Sequence, residues 1–284
     1  MTERGSFVLG LIGAGIGASL TPAMQEREGR EAGLSLTYRL IDLDELGMTK
    51  ADLPEVLAWV RRLGFDGVNV THPFKQAVVP LLDDLSEDAR DLGAVNTVVF
   101  REGRMLGRNT DWSGYGRAFR DVLPDAVEDR VLLVGAGGAG VAVGYGLLRQ
   151  GASRLEVLDA DRAAAETCVG KLAQRFGSER VAVADRLEES LDRAQGVVNA
   201  TPLGMHGHSG TSVPVELLRP DLWVSDVVYF PLETELVAAA RARGCRVLTG
   251  GGMAVQQAVG AFEYFTGLRA DPARMSAHFK ELTG

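Results

Sequence analysis

Two stretches of this sequence carry residue types and spacings suited to chemistry. Gly135-Ala136-Gly137-Gly138-Ala139-Gly140 follows the apolar run Val131–Val134 and passes straight into Val141–Leu148, a helical stretch closed by Gly151. The next apolar run, Leu155–Leu158, ends at Asp159, 24 residues beyond Gly135. Glycines there allow a tight turn and close backbone approach, a helix N-terminus faces phosphate, and an acid at the second strand end can bond ribose hydroxyls. The spacing predicts a dinucleotide site, with Gly135, Ala136, Gly137, Gly138 and Ala139 at the pyrophosphate and Asp159 at the adenosine ribose. A carboxylate at that place repels a 2′-phosphate and no Arg immediately follows it, Arg162 being the nearest cation, so NAD is expected over NADP.

The second stretch is Asn69-Val70-Thr71-His72-Pro73-Phe74-Lys75, which sets polar groups at a strand end and an expected helix start, where open α/β sheets bind ligands. Lys75 is one of four lysines (Lys50, Lys75, Lys171, Lys280) among 30 basic residues, so arginine supplies the other 26. A cation at a helix N-terminus opposes the dipole, which hints at work other than stability. Asn96 and Asp111 also stand where strands should end; each alone fits a turn or cap equally well. His206 and His208 form an H-x-H pair with no third ligand nearby, so no metal is expected. Neither a G-x-S-x-G elbow nor a paired-cysteine motif is present, which removes serine-hydrolase and dithiol readings. Gly13-Ala14-Gly15-Ile16-Gly17-Ala18 satisfies G-x-G-x-x-A, yet the helix start at Thr21-Pro22 comes three residues too late and no strand ending in an acid follows at about 20 residues. It reads as a decoy.

These groups must be positioned by strands alternating with helices. Apolar runs predict strands at Phe7–Ile12, Leu36–Leu40, Gly67–Val70 and Val95–Phe100, the last turning at Glu102-Gly103 into a partner around Met105. Helices are expected from the cap Thr21 with Pro22 at the first position toward Gly33, over Leu53–Leu63, and from Pro73 through Leu82. The pattern restarts at Val131, with further strands at Val181–Ala184, Gly196–Asn199, Leu222–Val228 and Arg246–Thr249, and helices at about 139–150, 161–176 and 233–243. From Ala254 the chain reads as all-helical. Such alternation implies an α/β fold with crossovers.

Length and composition bound the class. At roughly 150 residues per domain, 284 residues suggest two domains or one large one, and 46% hydrophobic with 24% charged residues is ordinary for a globular protein. A net charge of −8 disfavours nucleic acid or an anionic membrane as partner. No apolar stretch approaches the roughly 18 residues of a membrane helix. Met1-Thr2-Glu3-Arg4-Gly5 lacks a basic n-region, so no signal peptide is expected, and two cysteines, Cys168 and Cys245, fit a reducing cytoplasm.

Taken in order, Ser19-Leu20-Thr21-Pro22, the Asn69–Lys75 stretch, Gly93-Ala94-Val95-Asn96-Thr97, Asn109-Thr110-Asp111, the second glycine loop, Asn199-Ala200-Thr201-Pro202-Leu203-Gly204-Met205 and Gln257-Ala258 resemble the shikimate dehydrogenase family over essentially the whole chain. The resemblance implies an N-terminal α/β substrate domain at 1–113 with 251–284 packing back on it, and a Rossmann-type NAD(P)-binding domain at 114–250. It places the catalytic pair on Lys75 and Asp111. Substrate ligands fall on Ser19, Thr21, Thr71, Asn96 and Gln257, with Asn69 close by. Thr201, Met205, Val228 and Gly250 fall on the cofactor side. The biosynthetic enzymes usually have Ser where Thr21 stands, Pro-His-Lys where Pro73-Phe74-Lys75 stands, and a basic pocket where Asp159-Ala160-Asp161-Arg162 stands. The combination here resembles the NAD-dependent quinate/shikimate dehydrogenases, which oxidise these acids catabolically. The expected reaction is reversible hydride transfer between the nicotinamide and C3 of a hydroxylated cyclic carboxylate, with Lys75 as base assisted by Asp111. An NADP-dependent shikimate dehydrogenase of aromatic amino-acid biosynthesis, an aminoshikimate dehydrogenase and an NAD-sensing regulatory module stay open as alternatives, as does a homodimer.

Overall fold

The computed structural model describes residues 5–126 and 129–283; Met1–Arg4, part of the signal-peptide reading, lie outside the described residues. Two compact units form, one from residues 5–110 with 257–283 and one from Asp111–Gln256.

The first unit runs β1 (Ser6–Gly13), α1 (Thr21–Glu31), β2 (Ser35–Asp42), α2 (Leu53–Arg62), β3 (Gly67–Val70), β4 (Asp84–Leu85), α3 (Glu87–Leu92), β5 (Thr97–Arg101) and β6 (Arg104–Arg108). Its sheet has the order β2-β1-β3-β5-β6-β4. β1 pairs in parallel with β2 and β3, and β3–β5–β6 is antiparallel. The β5–β6 hairpin turns at Glu102-Gly103, both with positive φ (51° and 74°), the backbone a two-residue primed turn requires. One sheet face packs Ile12, Val68, Val70 and Val98 against Val56, Val60 and Phe74. The other packs Phe7, Leu9, Leu11 and Tyr38 with Ala261 and Phe265.

The second unit continues α4 (Asp111–Val122), β7 (Arg130–Val134), α5 (Gly138–Gln150), β8 (Arg154–Leu158), α6 (Arg162–Phe176), β9 (Val181–Val183), α7 (Leu187–Arg193), β10 (Gly196–Asn199), β11 (Trp223–Asp226), α8 (Glu235–Ala242) and β12 (Arg246–Leu248). Its strands are all parallel in the order β12-β11-β10-β7-β8-β9. Counted within the unit this is 6-5-4-1-2-3, the doubly wound Rossmann order, which reverses direction between β7 and β10. Two helices complete the chain, α9 (Gly250–Thr266) and α10 (Pro272–Thr283).

Several expectations are corrected. No helix spans 73–82: residues 72–78 form turns and Val79–Leu81 a short 3-10 turn. The Lys75 carbonyl, which a helix would use internally, accepts instead from the Val95 amide (2.8 Å). Thr21 is the first residue of α1 rather than its cap; the cap is Leu20, and the Ser19 hydroxyl accepts from the Thr21 amide (3.3 Å). β2 runs on to Asp42, so a strand ending in an acid does follow the first glycine loop. α3, α4 and α7 stand where no helix was expected. α9 begins four residues before Ala254 and continues through 256/257, so the division between units falls inside this helix rather than at 250/251.

Candidate functional site

The second glycine loop links β7 to α5 at the point where the sheet order reverses. Gly135 has φ +103°, and a Cβ there would meet the Ala200 backbone at 2.7 Å; one on Gly140 would meet the Gly135 carbonyl oxygen at 2.0 Å. These two glycines let β7 turn sharply and α5 start against it. A Cβ on Gly137 or Gly138 would meet nothing within 4 Å, so the backbone at the α5 N-terminus is open to close approach by a phosphate. Asp159 lies one residue past β8. Its Oδ2 accepts from the Ala136 amide (2.7 Å) and its Oδ1 from the Asp161 amide (2.9 Å). The carboxylate is thereby aimed across the loop. Arg162 opens α6 and is exposed, with Nε bonding Glu166 (3.1 Å) and Nη1 bonding Asp185 (3.2 Å). Asp185, then Glu166, raise its guanidinium above the ordinary value.

The first glycine loop is occupied from within. The Asp42 carboxylate accepts from the amides of Gly15 (3.0 Å), Ile16 (2.7 Å) and Asp44 (3.1 Å). Burial pushes its carboxyl up, but the amides of Ile16, Gly15, Asp44 and Glu45 together hold it below the usual range. Amides that would face a phosphate in a nucleotide loop are spent here on a side chain, and α1 begins only at Thr21.

In the first unit the structure gathers most of the expected polar residues around the C-terminal ends of β1 and β3. The half-buried hydroxyls of Ser19 and Thr21 bond each other (3.2 Å). The Thr71 amide donates to the Ile12 carbonyl (2.9 Å). Asn69 is committed internally: Nδ2 donates to the Asn96 carbonyl and Thr97 hydroxyl (both 3.0 Å), and Oδ1 accepts from the Tyr38 hydroxyl (2.8 Å). Burial holds the Tyr38 hydroxyl well above its usual value, so it stays a donor. Asn96 is buried and ties back to Thr110, accepting from its amide (2.8 Å) and donating to its hydroxyl (2.9 Å). Lys75 is half-buried within the turns after β3, and Gln257 is half-buried on α9 beside Ala258, whose carbonyl accepts from the fully buried Gln25 (2.9 Å). Asp111, the first residue of α4 in the second unit, is buried.

Of the residues expected on the cofactor side, Thr201 and Met205 lie on the loop after β10, Val228 on the loop after β11 and Gly250 at the start of α9. Thr201 donates from its amide (3.0 Å) and its hydroxyl (2.6 Å) to Asn199 Oδ1. Met205 is exposed. The Val228 amide bonds Asp226 (3.0 Å), and Gly250 abuts the same turn, where a Cβ would meet the Val228 carbonyl at 2.5 Å. The His206 ring packs edge-on against Phe230, 5.4 Å between centroids. Sequence reasoning did not single out Asp226, which is 1% exposed. Its signal is a lone acid inside the apolar run Leu222–Val228. Among the described residues no helix is long and apolar enough to cross a membrane.

The sequence profile of the shikimate dehydrogenase substrate binding domain matches residues 11–98. The chain is 51% identical over 281 residues to a shikimate dehydrogenase (NADP(+)) of Streptomyces avermitilis, covering 98% of this chain and 97% of that protein. It is 49% identical over 280 residues to a quinate/shikimate dehydrogenase (NAD(+)) of Corynebacterium glutamicum, covering 98% and 99%. The solved structure of quinate dehydrogenase from Corynebacterium glutamicum in complex with NAD superposes with a TM-score of 0.92 at 48% identity, covering 97% of this chain and 99% of that one.

Proposed function

Because this chain belongs to the shikimate dehydrogenase family, we propose that it is an NAD-preferring dehydrogenase that reversibly oxidises the C3 hydroxyl of quinate, shikimate or both to the 3-dehydro acid. The observation that carries the cofactor preference is the Asp159 carboxylate, fixed by two backbone amides and followed by an Arg162 already held by Glu166 and Asp185. A 2′-phosphate brought there meets one oriented negative charge and no uncommitted guanidinium from Arg162, whereas a 2′-hydroxyl can donate to the carboxylate. The fit of a dinucleotide is supported by the open backbone at Gly137 and Gly138 and by the 13-residue α5 that starts there.

When bound, the nicotinamide supplies the hydride acceptor. The chain's own residues handle the acid. The hydroxyls of Ser19, Thr21 and Thr71 and the amides of Asn96 and Gln257 bind its carboxylate and ring hydroxyls, with Asn69 bracing Asn96 from behind. Lys75 takes the C3 hydroxyl proton in oxidation and returns it in reduction, and Asp111 orients the hydroxyl and the lysine.

Steady-state kcat/KM with NAD and NADP, each crossed with quinate, shikimate and the amino analogue, tests the reading. NAD is expected to exceed NADP by about tenfold or more, the worth of one charged hydrogen bond. A higher kcat/KM with NADP would instead identify an NADP-linked enzyme, as the Streptomyces relative is named. Dinucleotide binding without turnover on any acid would revive a sensing role. Lys75→Ala should lower kcat by roughly 10²–10⁴-fold with substrate still bound; wild-type kcat would remove Lys75 from the proton path.

A further inference from the structure

Asn199, Asp226 and Thr234 are almost completely enclosed (0%, 1% and 1% exposed) and bonded in series. Asp226, the last residue of β11, accepts three hydrogen bonds: from Asn199 Nδ2 (2.9 Å) and the Val228 amide (3.0 Å) at Oδ1, and from the Thr234 hydroxyl (2.7 Å) at Oδ2. Asn199, the last residue of β10, also accepts from the Thr201 amide and hydroxyl and donates to the Leu203 carbonyl (3.1 Å). Thr234 caps α8, its hydroxyl accepting from the Val237 amide (3.2 Å). One chain of bonds therefore joins the loop after β10, the loop after β11 and the start of α8.

A carboxylate with only neutral partners is a costly thing to enclose, and burial raises the Asp226 carboxyl above its ordinary value despite the bonds from Thr234, Val228 and Asn199. What a carboxylate offers in return is acceptor capacity on both oxygens, enough to hold three donors from three segments. The loops it joins carry exposed Leu203, Met205, Tyr229 and Phe230. They leave the C-terminal edge of a parallel sheet, where such folds bind ligands, and exposed loops there are ordinarily mobile.

We propose that Asp226, with Asn199 and Thr234, is a positioning residue for the dinucleotide: it locks the loops carrying Thr201 and Val228 into one lip, so that this side of the nucleotide site is formed before the nucleotide arrives. Preforming a site removes ordering entropy from binding. The proposal rests on the dinucleotide reading given above.

Wild-type turnover and dinucleotide Kd are measured first; no turnover with both dinucleotides would defeat the dehydrogenase reading and leave the brace to be judged by Kd, whereas no dinucleotide binding would defeat the dinucleotide reading itself. Asp226→Ala removes all three bonds and is expected to raise dinucleotide KM and Kd about tenfold or more, with acid KM at saturating dinucleotide within about twofold of wild type. Asp226→Asn is isosteric: its oxygen can serve Asn199 and the Val228 amide, and its NH2 can donate to Thr234 once that hydroxyl turns. It is expected to recover dinucleotide KM to within about threefold of wild type. Thr234→Val removes one of the three bonds to Asp226 together with the α8 cap and should fall between the two. The proposal is overturned if Asp226→Ala leaves dinucleotide KM and Kd unchanged, if acid KM rises as much as dinucleotide KM, or if Asp226→Asn is as damaging as Asp226→Ala. Should Asp226→Ala fail to fold, Thr234→Val decides: an unshifted dinucleotide Kd overturns the proposal and a raised one supports it.

Discussion

Asp159 carries two duties that pull in one direction. Its oxygens anchor the Ala136 and Asp161 amides, which shapes the glycine loop, and its charge is the group proposed to select the ribose end of the dinucleotide. Asp159→Asn keeps an oxygen for one amide and removes the charge. NAD kcat/KM is expected to fall roughly 10–100-fold, the range for hydrogen bonds to charged groups. The gain with NADP should be small, because Arg162 stays bound to Glu166 and Asp185. Adding Asp185→Ala loosens that guanidinium, so the double variant should use NADP better than either single one. Steady-state kinetics with both dinucleotides read this directly; a large NADP gain in Asp159→Asn alone would show that the pairing of Arg162 does not matter. Asp42 makes the same kind of contact with the first glycine loop, and there the occupant of the loop is the side chain itself. Two similar glycine patterns were separable in the sequence by where the following helix begins, while the Asp42 contact spans 26 residues or more and no local pattern announces it.

At the scale of elements, what was legible followed from local rules. Apolar runs marked the strands of both sheets except the two-residue β4 (Asp84–Leu85), and Glu102-Gly103 marked the hairpin. Elements were missed where a distant partner decides the outcome. Gly114 and Gly116 weaken the intrinsic case for α4, yet α4 packs on α5, where a Cβ on Gly146 would meet the Trp112 carbonyl at 2.8 Å, so this close approach needs a glycine on α5. Residues 73–82 look helical until the Lys75 carbonyl is claimed by Val95. The docking of α10 on α1 is also non-local. Buried Glu28 receives Arg274 through both oxygens (2.6 and 2.9 Å) and the Asp271 amide (2.9 Å), and Arg27 pairs with Glu281. Within this junction burial, then Arg27 and Arg30 of α1, push His278 below its ordinary value, against Glu281 of its own helix. The folded state therefore favours the neutral imidazole. Its contribution is present above about pH 6.5 and is lost as pH falls toward the lowered folded value, because the unfolded chain takes up the proton first. His278→Gln should flatten that part of the profile. Thermal midpoints at several pH values between neutral and mildly acidic should drop more steeply for wild type than for the variant; parallel profiles would exclude His278 as a source of acid sensitivity.

For the whole molecule, connectivity matters most. The chain passes from the first unit to the second after Thr110 and returns after Gln256, so the first unit is assembled from both ends of the sequence. The restart of alternating strands and helices at Val131 made two bodies visible in the sequence. The helical α4 and α9 at the crossings hid where one body stops. Each unit has its own hydrophobic clusters, Ile12, Val68 and Phe74 in the first and Leu132, Val197 and Val224 in the second; the residues proposed for the dinucleotide lie in the second, and those proposed for the acid, Asp111 apart, lie in the first. Ligand binding to one state raises its stability by mass action, about 2.7 kcal/mol at a hundredfold excess over Kd. Hydrogen exchange should separate the two ligands. Dinucleotide alone should slow the amides of β7, β8, β10 and β11 by up to roughly a hundredfold where exchange requires unfolding of that unit, and leave β1, β2 and β3 little changed. Quinate or shikimate alone should do the reverse. If either ligand protected both sheets equally, the assignment of one ligand to each unit would fail, because a ligand held by one set of residues has no differential affinity through which to stabilise an independent one.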